Sequence, residues 1–207
     1  MGTSDPGLAG GRISAFRMTF LAITFMYKQT RRLITFGAFA TALAPARASA
    51  QGGHVLLMRH ATAPGTGDPP GFALGDCATQ RNLSPEGRAE AVRMGERLKS
   101  RGITLDRLLS SRWCRCQETA RLLDLGPVEA FPPLDSFYAD AAEGPARTEA
   151  VKVLPRDYPD RVIGMVTHQV NITALTGVFL RSAEVIIARL GARPSDPLTV
   201  IDRIGPG

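Results

Sequence analysis

The chain has 207 residues, a net charge of +6, three Cys, 21 Gly and 15 Pro, and these values fit one ordinary globular domain and exclude the fibrous, disordered and disulfide-dense classes. No apolar run reaches the roughly 20 residues of a membrane-spanning helix. The positive charge is concentrated at the start, because residues 1–50 hold six of the 25 Lys and Arg but one of the 19 Asp and Glu. The rest of the chain is nearly neutral, so we expect no nucleic-acid partner.

An export signal is predicted within these first fifty residues. A cationic start, an apolar stretch and a small-residue cleavage site follow one another at Lys28 with Arg31 and Arg32, residues 33–44, and Ala48 to Ala50. This order is typical of a secretory signal peptide, and the paired arginines also fit a twin-arginine signal. We predict cleavage before Gln51, a mature domain over residues 51–207, and a periplasmic or secreted location.

Residues 1–25 form an extension ahead of this signal. A second apolar patch from Met18 to Tyr27 is unusual before a signal peptide, so we expect translation to start at Met26 or at Met18. An uncleaved anchor made of the two apolar stretches is the alternative, although each stretch is too short to cross a bilayer.

The first predicted element of the body is a buried strand over His54–Arg59, a short apolar run that ends in charge. A loop rich in Gly and Pro follows to about Gln80. Ser84 then caps a helix that begins at Pro85 and ends at Gly102. The inward face of this helix is predicted from its apolar or small residues, Ala89, Val92, Met94, Gly95 and Leu98.

Strands and helices alternate along the rest of the body. Further strands are predicted at 105–110, 162–166, 184–190 and 198–204, and a second helix at 113–123. Strands separated by helical patterns predict a three-layer α/β/α sandwich around a mostly parallel central sheet.

Two of the three His follow buried strands directly. His60 comes after the strand at 54–59, and His168 comes after the strand at 162–166. In open α/β sheets, ligands bind beyond the carboxyl ends of the strands. We therefore expect both imidazoles at the functional edge, whereas His54 lies at the opposite end of its strand.

The three Cys have two possible arrangements. Export would place them where disulfides persist, and an odd number allows at most one bridge within the chain. Cys114 and Cys116 are too close in a helix to pair with each other, so a bridge from Cys77 to one of them is predicted. Three small buried hydrophobic side chains are the alternative.

Three sequence blocks resemble the signatures of branch 1 of the histidine phosphatase superfamily, which includes the phosphoglycerate mutases. In the order of the family they are Leu57 to Ala61, Ser110 to Ala120, and Val166 to Gln169. The segments Asp76 to Ser84 and Thr167 to Ile172 resemble an exported bacterial subgroup. The resemblance implies the phosphoglycerate mutase-like fold and covers nearly all of residues 51–207.

The resemblance also implies a role for four residues. His60 corresponds to the nucleophile of the family, and Arg59, Arg115 and His168 correspond to the groups that hold the phosphate. An imidazole nitrogen can attack phosphorus to form a phosphohistidine. Guanidinium forks suit phosphate, and a protonated His168 would add a third positive donor. No metal or other cofactor is implied.

An acid must protonate the leaving oxygen when the phosphohistidine forms. Asp135 lies between the second and third blocks, where larger members of the family place an acidic residue, and we prefer it. Asp68, in the loop after the first block, is the alternative. Gln169, where the family commonly has Gly, and Arg81 are expected to bind substrate. Asn171 is also expected within reach of the pocket, and for Arg81 and Asn171 a helix cap or a surface ion pair is the alternative role.

The predicted function is therefore an exported phosphomonoesterase that acts on a small phosphate ester or a surface sugar phosphate through a phosphohistidine. A phosphoglycerate mutase-like phosphotransferase is the nearest alternative, but residues 51–207 leave little room for the loops that close the larger mutases. A non-catalytic phosphate-binding module of the same fold is the alternative from another class. No stable membrane insertion is expected after signal cleavage, and the sequence indicates no particular oligomeric state.

Overall fold

A computed structural model describes residues 54–206 of the chain. The predicted signal peptide, its cleavage site and the alternative start residues lie outside this range. Within it, the backbone forms a six-stranded mixed sheet with helices on both faces. No helix from residue 54 to residue 206 combines the length and the hydropathy that a membrane span needs.

The helices and strands follow the alternation predicted from the sequence. In chain order they are β1 (His54–Arg59), α1 (Pro85–Ser100), β2 (Arg107–Ser110), α2 (Cys114–Leu123), β3 (Val128–Ala130), α3 (Gly144–Val153), β4 (Ile163–Thr167), α4 (Gln169–Thr176), β5 (Val185–Arg189) and β6 (Thr199–Ile204). Short 3-10 turns lie at Cys77–Thr79, Pro132–Leu134, Ala141–Glu143 and Leu154–Asp157. Every predicted element is present within two residues of its expected bounds, and β3, α3 and α4 are additional.

The sheet order is β3-β2-β4-β1-β5-β6. The first four strands run parallel, whereas β5 and β6 are antiparallel to their neighbours. The prediction of a mostly parallel sheet is confirmed. Because β4 pairs with β1 and places Thr167 opposite Arg59, the residues that follow these two strands emerge side by side. This register brings His60 next to His168.

Two apolar cores lie on opposite faces of the sheet, as a three-layer sandwich requires. Along β1, Leu56 and Met58 pack into the cluster that contains α1 and α2. The alternate residues Val55 and Leu57 pack into the cluster that contains α3 and α4. Successive side chains of a strand point to opposite faces, so one short apolar run supplies both cores.

The ends of α1 are those that the sequence predicts. The Gly87 amide donates to Ser84 Oγ at 3.0 Å, and this bond satisfies one of the free N–H groups of the first turn. Pro85 occupies the first helical position. Gly102 follows the helix with a φ of +70°, a left-handed conformation that glycine adopts without steric cost.

The buried face of α1 differs from the prediction. The buried residues are Gly87, Ala91, Met94, Gly95 and Leu98, whereas Ala89 and Val92 are exposed. The prediction for Ala89 and Val92 was wrong because the buried residues form one stripe at helical spacing, and positions 89 and 92 lie outside that stripe. Gly95 lies where α1 meets α2. A Cβ on Gly95 would lie 2.2 Å from the Leu123 carbonyl oxygen. Only glycine allows the two helices to approach this closely.

Candidate active site

A cavity of about 260 Å³ lies at the carboxyl ends of β1 and β4. The charged and imidazole side chains in its wall are Arg59, His60, Asp68, Arg81, Arg115 and His168. A larger groove beside β3 and α3 is lined mostly by apolar side chains and holds no imidazole or guanidinium group. The sheet-edge cavity is therefore the candidate site, and it is where the order of the strands predicts one.

His60 is held at the end of β1 with one ring nitrogen free. Its amide donates to the Thr167 carbonyl at 3.0 Å, and Nδ1 lies 2.8 Å from the Ala61 carbonyl oxygen. Because a carbonyl oxygen only accepts, Nδ1 carries the hydrogen and Nε2 keeps its lone pair. Burial, together with the positive charge of Arg115, lowers the pKa of His60 to about 3 in spite of the bond to Ala61. The imidazole is neutral and nucleophilic at Nε2.

Arg59 and Arg115 stand beside this imidazole, as the sequence predicts. Arg59 Nη1 donates to the Leu180 carbonyl at 2.8 Å, and Arg115 is 2 % exposed. Among the described residues, no acceptor faces the buried Nε–H group of either arginine. Both side chains line the cavity, so they bring two guanidinium groups to its wall, which suits an anion.

Arg81 also lines the cavity, and its hydrogen bonds go to the loop after β1. Nε donates to the Gly67 carbonyl at 2.8 Å, and Nη1 donates to the Ala63 carbonyl. Burial, followed by the charge of Arg115, lowers the pKa of Arg81. The side chain thus supplies positive charge to the cavity while it holds the loop that carries Asp68.

Asp68 is the acidic residue that reaches the cavity. Arg115 Nη1 donates to Oδ1 at 2.6 Å, and the Trp113 indole N–H donates to Oδ2 at 2.9 Å. The Phe72 ring stacks on Trp113 with centroids 5.1 Å apart, which fixes the indole. Burial raises the pKa of Asp68, but the hydrogen bonds from Arg115 and Trp113 lower it more, so it lies below its ordinary value.

Asp135, the preferred acid in the sequence analysis, lies behind the cavity and not in its wall. It is fully buried, and its carboxylate accepts from the Arg112 amide at 2.8 Å, the Arg112 Nε at 2.7 Å and the Ser111 hydroxyl at 3.2 Å. The backbone at Asp135 is extended, so successive side chains point in opposite directions. The neighbour Ser136, in consequence, is the residue that lines the cavity. This placement favours Asp68 as the acid.

His168 is buried next to His60, with ring centroids 5.4 Å apart. Burial, followed by the charges of His60 and Arg115, lowers the pKa of His168 well below its ordinary value. We expected a protonated His168, but in the structure this imidazole is neutral because three arginines and a buried environment disfavour a further cation. Its Nε2 lies 2.8 Å from Ser111 Oγ.

The side chains of Gln169 and Asn171 form hydrogen bonds with backbone groups. Gln169 lines the cavity, but its amide accepts from the Leu180 N–H at 3.0 Å and donates to the Val178 carbonyl at 3.1 Å. It therefore braces the segment to which Arg59 donates. Asn171 is buried and donates to the Asp135 carbonyl at 3.0 Å. The structure does not bring Asn171 into the wall of the cavity.

One disulfide links Cys77 to Cys114, with Cα atoms 5.7 Å apart, and Cys116 is a free buried thiol. A bridge from Cys77 is thus confirmed. Burial raises the pKa of Cys116 to about 12, so it stays a thiol. No group of three or more His, Cys, Asp or Glu between residues 54 and 206 is arranged to hold a metal ion.

The sequence did not predict two contacts of this site, the one between Ser111 and His168 and the one between Trp113 and Asp68. Both residues lie in the second sequence block, directly after β2 at the same sheet edge. Their position after a predicted strand was the sequence feature that could have indicated a role in the site. The direction of a hydroxyl or an indole N–H within a loop depends on the neighbouring chain segments, which the local sequence does not specify.

The chain resembles known proteins in its sequence pattern and in its fold. The sequence pattern described as "Histidine phosphatase superfamily (branch 1)" matches residues 55–161, a little over half of the chain, and no curated protein sequence matches. The protein histidine phosphatase SixA complexed with tungstate is 18 % identical, with a TM-score of 0.54 over 74 % of this chain and 97 % of that one. Rv3214 from Mycobacterium tuberculosis is 17 % identical, with a TM-score of 0.54 over 72 % and 95 %. YhfR of Bacillus stearothermophilus is 16 % identical, with a TM-score of 0.51 over 71 % and 94 %. At these identities the likeness shows the fold.

Proposed function

Because the chain belongs to branch 1 of the histidine phosphatase superfamily, we propose that it hydrolyses phosphomonoesters through a phosphohistidine at His60. The observation that carries this proposal is the state of His60 in the cavity. Its Nδ1 is fixed on the Ala61 carbonyl, the ring is neutral, and arginines line the same wall. A neutral imidazole with a free Nε2 beside fixed cations is the arrangement that attack on a bound phosphate requires.

The charges of the cavity suit a phosphate dianion. Three guanidinium groups face one carboxylate, and both imidazoles are neutral, so the wall carries an excess of positive charge. The guanidinium groups of Arg59 and Arg115, which line this wall, are donors that suit phosphoryl oxygens. Phosphoryl transfer depends mainly on positioning and charge stabilisation, and these side chains supply both.

Asp68 supplies the proton for the first step. The His60 Nε2 lone pair forms a bond to phosphorus, the bond from phosphorus to the leaving oxygen breaks, and that oxygen takes a proton from Asp68. Water then attacks the phosphohistidine and gives a proton back to the Asp68 carboxylate, which releases phosphate and free His60. A phosphate that binds Arg115 removes the hydrogen bond that lowers the pKa of Asp68. Substrate binding therefore favours the protonated acid.

The position of Asp68 also bears on the alternatives. Hydrolysis needs an acid within reach of the bound phosphate, and Asp68 Oδ1 lies 2.6 Å from Arg115 Nη1. We therefore favour hydrolysis over binding alone. Candidate substrates are small or surface-exposed phosphomonoesters, and the likeness to a protein histidine phosphatase adds phosphohistidine-bearing proteins to the panel.

The test is turnover by the purified protein with a panel of alkyl, sugar and aryl phosphates and a phosphohistidine-bearing protein. We expect release of inorganic phosphate that His60→Ala abolishes and that Arg115→Ala lowers at least 100-fold, as loss of one charge-stabilising donor does in other enzymes. His54→Ala is the matched control, because His54 lies at the far end of β1 and should leave turnover unchanged. Turnover that persists in His60→Ala would contradict the proposal.

A further inference from the structure

A buried chain of hydrogen bonds runs from Asp135 through Ser111 to His168. The Ser111 hydroxyl lies 3.2 Å from Asp135 Oδ1 and 2.8 Å from His168 Nε2. Ser111 and Asp135 are fully buried, and His168 is 4 % exposed. Asp135 and Ser111 do not line the cavity, so they act on the reaction only through the imidazole.

The donors in this chain can be assigned. A carboxylate accepts and does not donate, and Asp135 is paired with Arg112 Nη2 at 2.5 Å and with Arg147 Nη1 at 3.5 Å. Ser111 therefore donates its one hydrogen to Asp135. Its oxygen then accepts from the Trp113 amide at 3.3 Å and from His168. In the opposite assignment, Ser111 Oγ and Asp135 Oδ1 would be two acceptors that face each other at 3.2 Å with no hydrogen between them, and their repulsion is strong in a buried environment.

We propose that Ser111 and Asp135 are positioning residues that hold His168 as its Nε2–H tautomer, the opposite of the Nδ1–H tautomer of His60. Nδ1 is then the His168 nitrogen that carries the lone pair. Its one partner among the described residues is the Cys116 sulfur at 3.9 Å, a weak contact. Nδ1 is therefore the atom left to share a proton with a phosphoryl oxygen.

This assignment rests on the proposed function and gives His168 a defined part in it. When a phosphate monoanion binds, its O–H donates to Nδ1. If that proton moves, the O–H bond breaks, an N–H bond forms, the phosphate becomes a dianion and the imidazole becomes a cation. Ser111, held by Asp135, accepts from the Nε2–H group that the cation keeps, and the bound dianion lies beside the new Nδ1–H group. His168 is thus neutral until it takes the proton of the phosphate, and it is positive beside the dianion that results.

The tautomer can be measured without substrate, by nitrogen NMR of the protein labelled with ¹⁵N in histidine. The chain has three His, so single substitutions of His54 and His60 assign all the signals. We expect the hydrogen on Nε2 in His168 and on Nδ1 in His60 within one sample. A hydrogen on Nδ1 of His168 would overturn the proposal whether or not the protein turns over, so this result is separate from the fate of the proposed function.

Variants then test Ser111 itself. Ser111→Ala removes the acceptor, and we expect the hydrogen to redistribute toward Nδ1 and kcat to fall about 10–100-fold with a smaller change in KM. Ser111→Thr keeps the hydroxyl and should restore the Nε2–H signal. Ser110→Ala is the matched control, because this equally buried hydroxyl donates to the Ser111 carbonyl at 2.9 Å and should leave the tautomer unchanged. An unchanged tautomer and kcat in Ser111→Ala would overturn the role of Ser111.

Discussion

The Asp68 carboxylate accepts from both terminal nitrogens of the Arg115 guanidinium group, where two phosphate oxygens would bind. The carboxylate is 2.6 Å and 3.3 Å from the two terminal guanidinium nitrogens, and the geometry of a carboxylate on a guanidinium resembles that of a phosphate. The Asp68 carboxylate therefore compensates the charge of a buried guanidinium group. We propose that a bound phosphate takes this place and leaves the Asp68 carboxylate beside the leaving group, where an acid is needed.

The first prediction at this scale concerns Asp68→Asn. We expect kcat to fall about 10²–10⁴-fold for an alkyl phosphate, whose leaving oxygen needs a proton. The fall should be much smaller for p-nitrophenyl phosphate, because nitrophenolate leaves without one. Steady-state kinetics with both substrates measure the difference.

Two further substitutions serve as comparisons for Asp68→Asn. Asp135→Asn should lower both rates by the same factor, because Asp135 acts through His168 and not on the leaving group. Asp202→Asn, at an exposed position on β6, should change neither rate. An equal loss for both substrates in Asp68→Asn would rule out Asp68 as the acid.

The two pocket histidines predict how stability depends on pH. Burial lowers the pKa of His60 to about 3 and that of His168 well below its ordinary value, whereas in the unfolded chain both take up a proton near pH 6.5. The unfolding free energy should be constant above about pH 7 and fall below pH 6.5, by about 1.4 kcal/mol per pH unit for each histidine. Urea unfolding between pH 7.5 and pH 4.5 measures this slope.

The histidine variants separate this effect from other titrations. His60→Gln should remove about half of the slope between pH 6.5 and pH 4.5, because one of the two buried imidazoles is gone. His54→Gln, which lies outside the cavity, should keep the full slope. A slope that is the same in the wild type and in His60→Gln would contradict the burial of a neutral His60.

At the residue scale, the sequence predicted the two imidazoles and three arginines of the cavity wall because each lies next to a recognisable block. It did not distinguish Asp68 from Asp135. Both carboxylates lie in loops, and the side on which a loop side chain emerges depends on backbone angles that distant segments set. For Asp68 that segment is α2, which carries Arg115 and follows Trp113.

At the scale of elements, the disulfide connects the loop segment before Arg81 to the first residue of α2. Cys77 lies in a 3-10 turn, and Cys114 begins the helix that carries Arg115. The Gln80 side chain adds a second link, because it accepts from the Cys114 amide at 2.9 Å and donates to the Ala73 carbonyl at 3.2 Å. These links hold the two cationic walls of the cavity together.

We predict that the double variant Cys77→Ser with Cys114→Ser unfolds more easily by about 3–4 kcal/mol, the chain-entropy value for a loop closed over the sequence separation of 37. Urea unfolding with and without a reductant measures the effect. The reductant should lower the stability of the wild type to that of the variant and leave the variant unchanged. A wild type that the reductant does not affect would mean that the bridge does not stabilise the fold.

The elements that the sequence missed are those with weak local signals. β3 has three residues and an exposed outward edge, and it forms because β2 offers it a partner. α3 begins at Gly144 and Pro145 and buries few side chains, so its sequence shows only a weak helical pattern of apolar residues. Strong apolar runs such as β1 and β4 were predicted correctly because both of their faces are buried.

At the scale of the whole molecule, the order of the sheet assembles the site. β4 is inserted between β1 and β2, so residues that are far apart in the chain follow neighbouring strands. The alternation of elements predicts a parallel sheet, but it does not give this order, because the order depends on which helix covers which face. The chain after residue 50 is nearly neutral overall, yet the wall of the cavity carries an excess of positive charge.

Export is a separate prediction for the whole chain. We propose that the protein is exported and cleaved before Gln51, on the basis of the cationic, apolar and small-residue segments of residues 26–50. Intact-mass spectrometry of the periplasmic or secreted protein should give a chain that begins at Gln51. Ala48→Lys should block cleavage, because the signal peptidase accepts small residues there. An N-terminus upstream of Ala50 in the mature wild type would contradict the proposal.

The most direct test of a phosphohistidine at His60 is to map the phosphorylated residue after rapid alkaline quench of the protein with a turnover substrate. Because Nδ1 of His60 donates to the Ala61 carbonyl, we expect the phosphoryl group on His60 Nε2. This group should survive alkali, be lost in acid and be absent from His60→Ala. A phosphoryl group on Nδ1, on His168 or on any other residue would contradict this expectation.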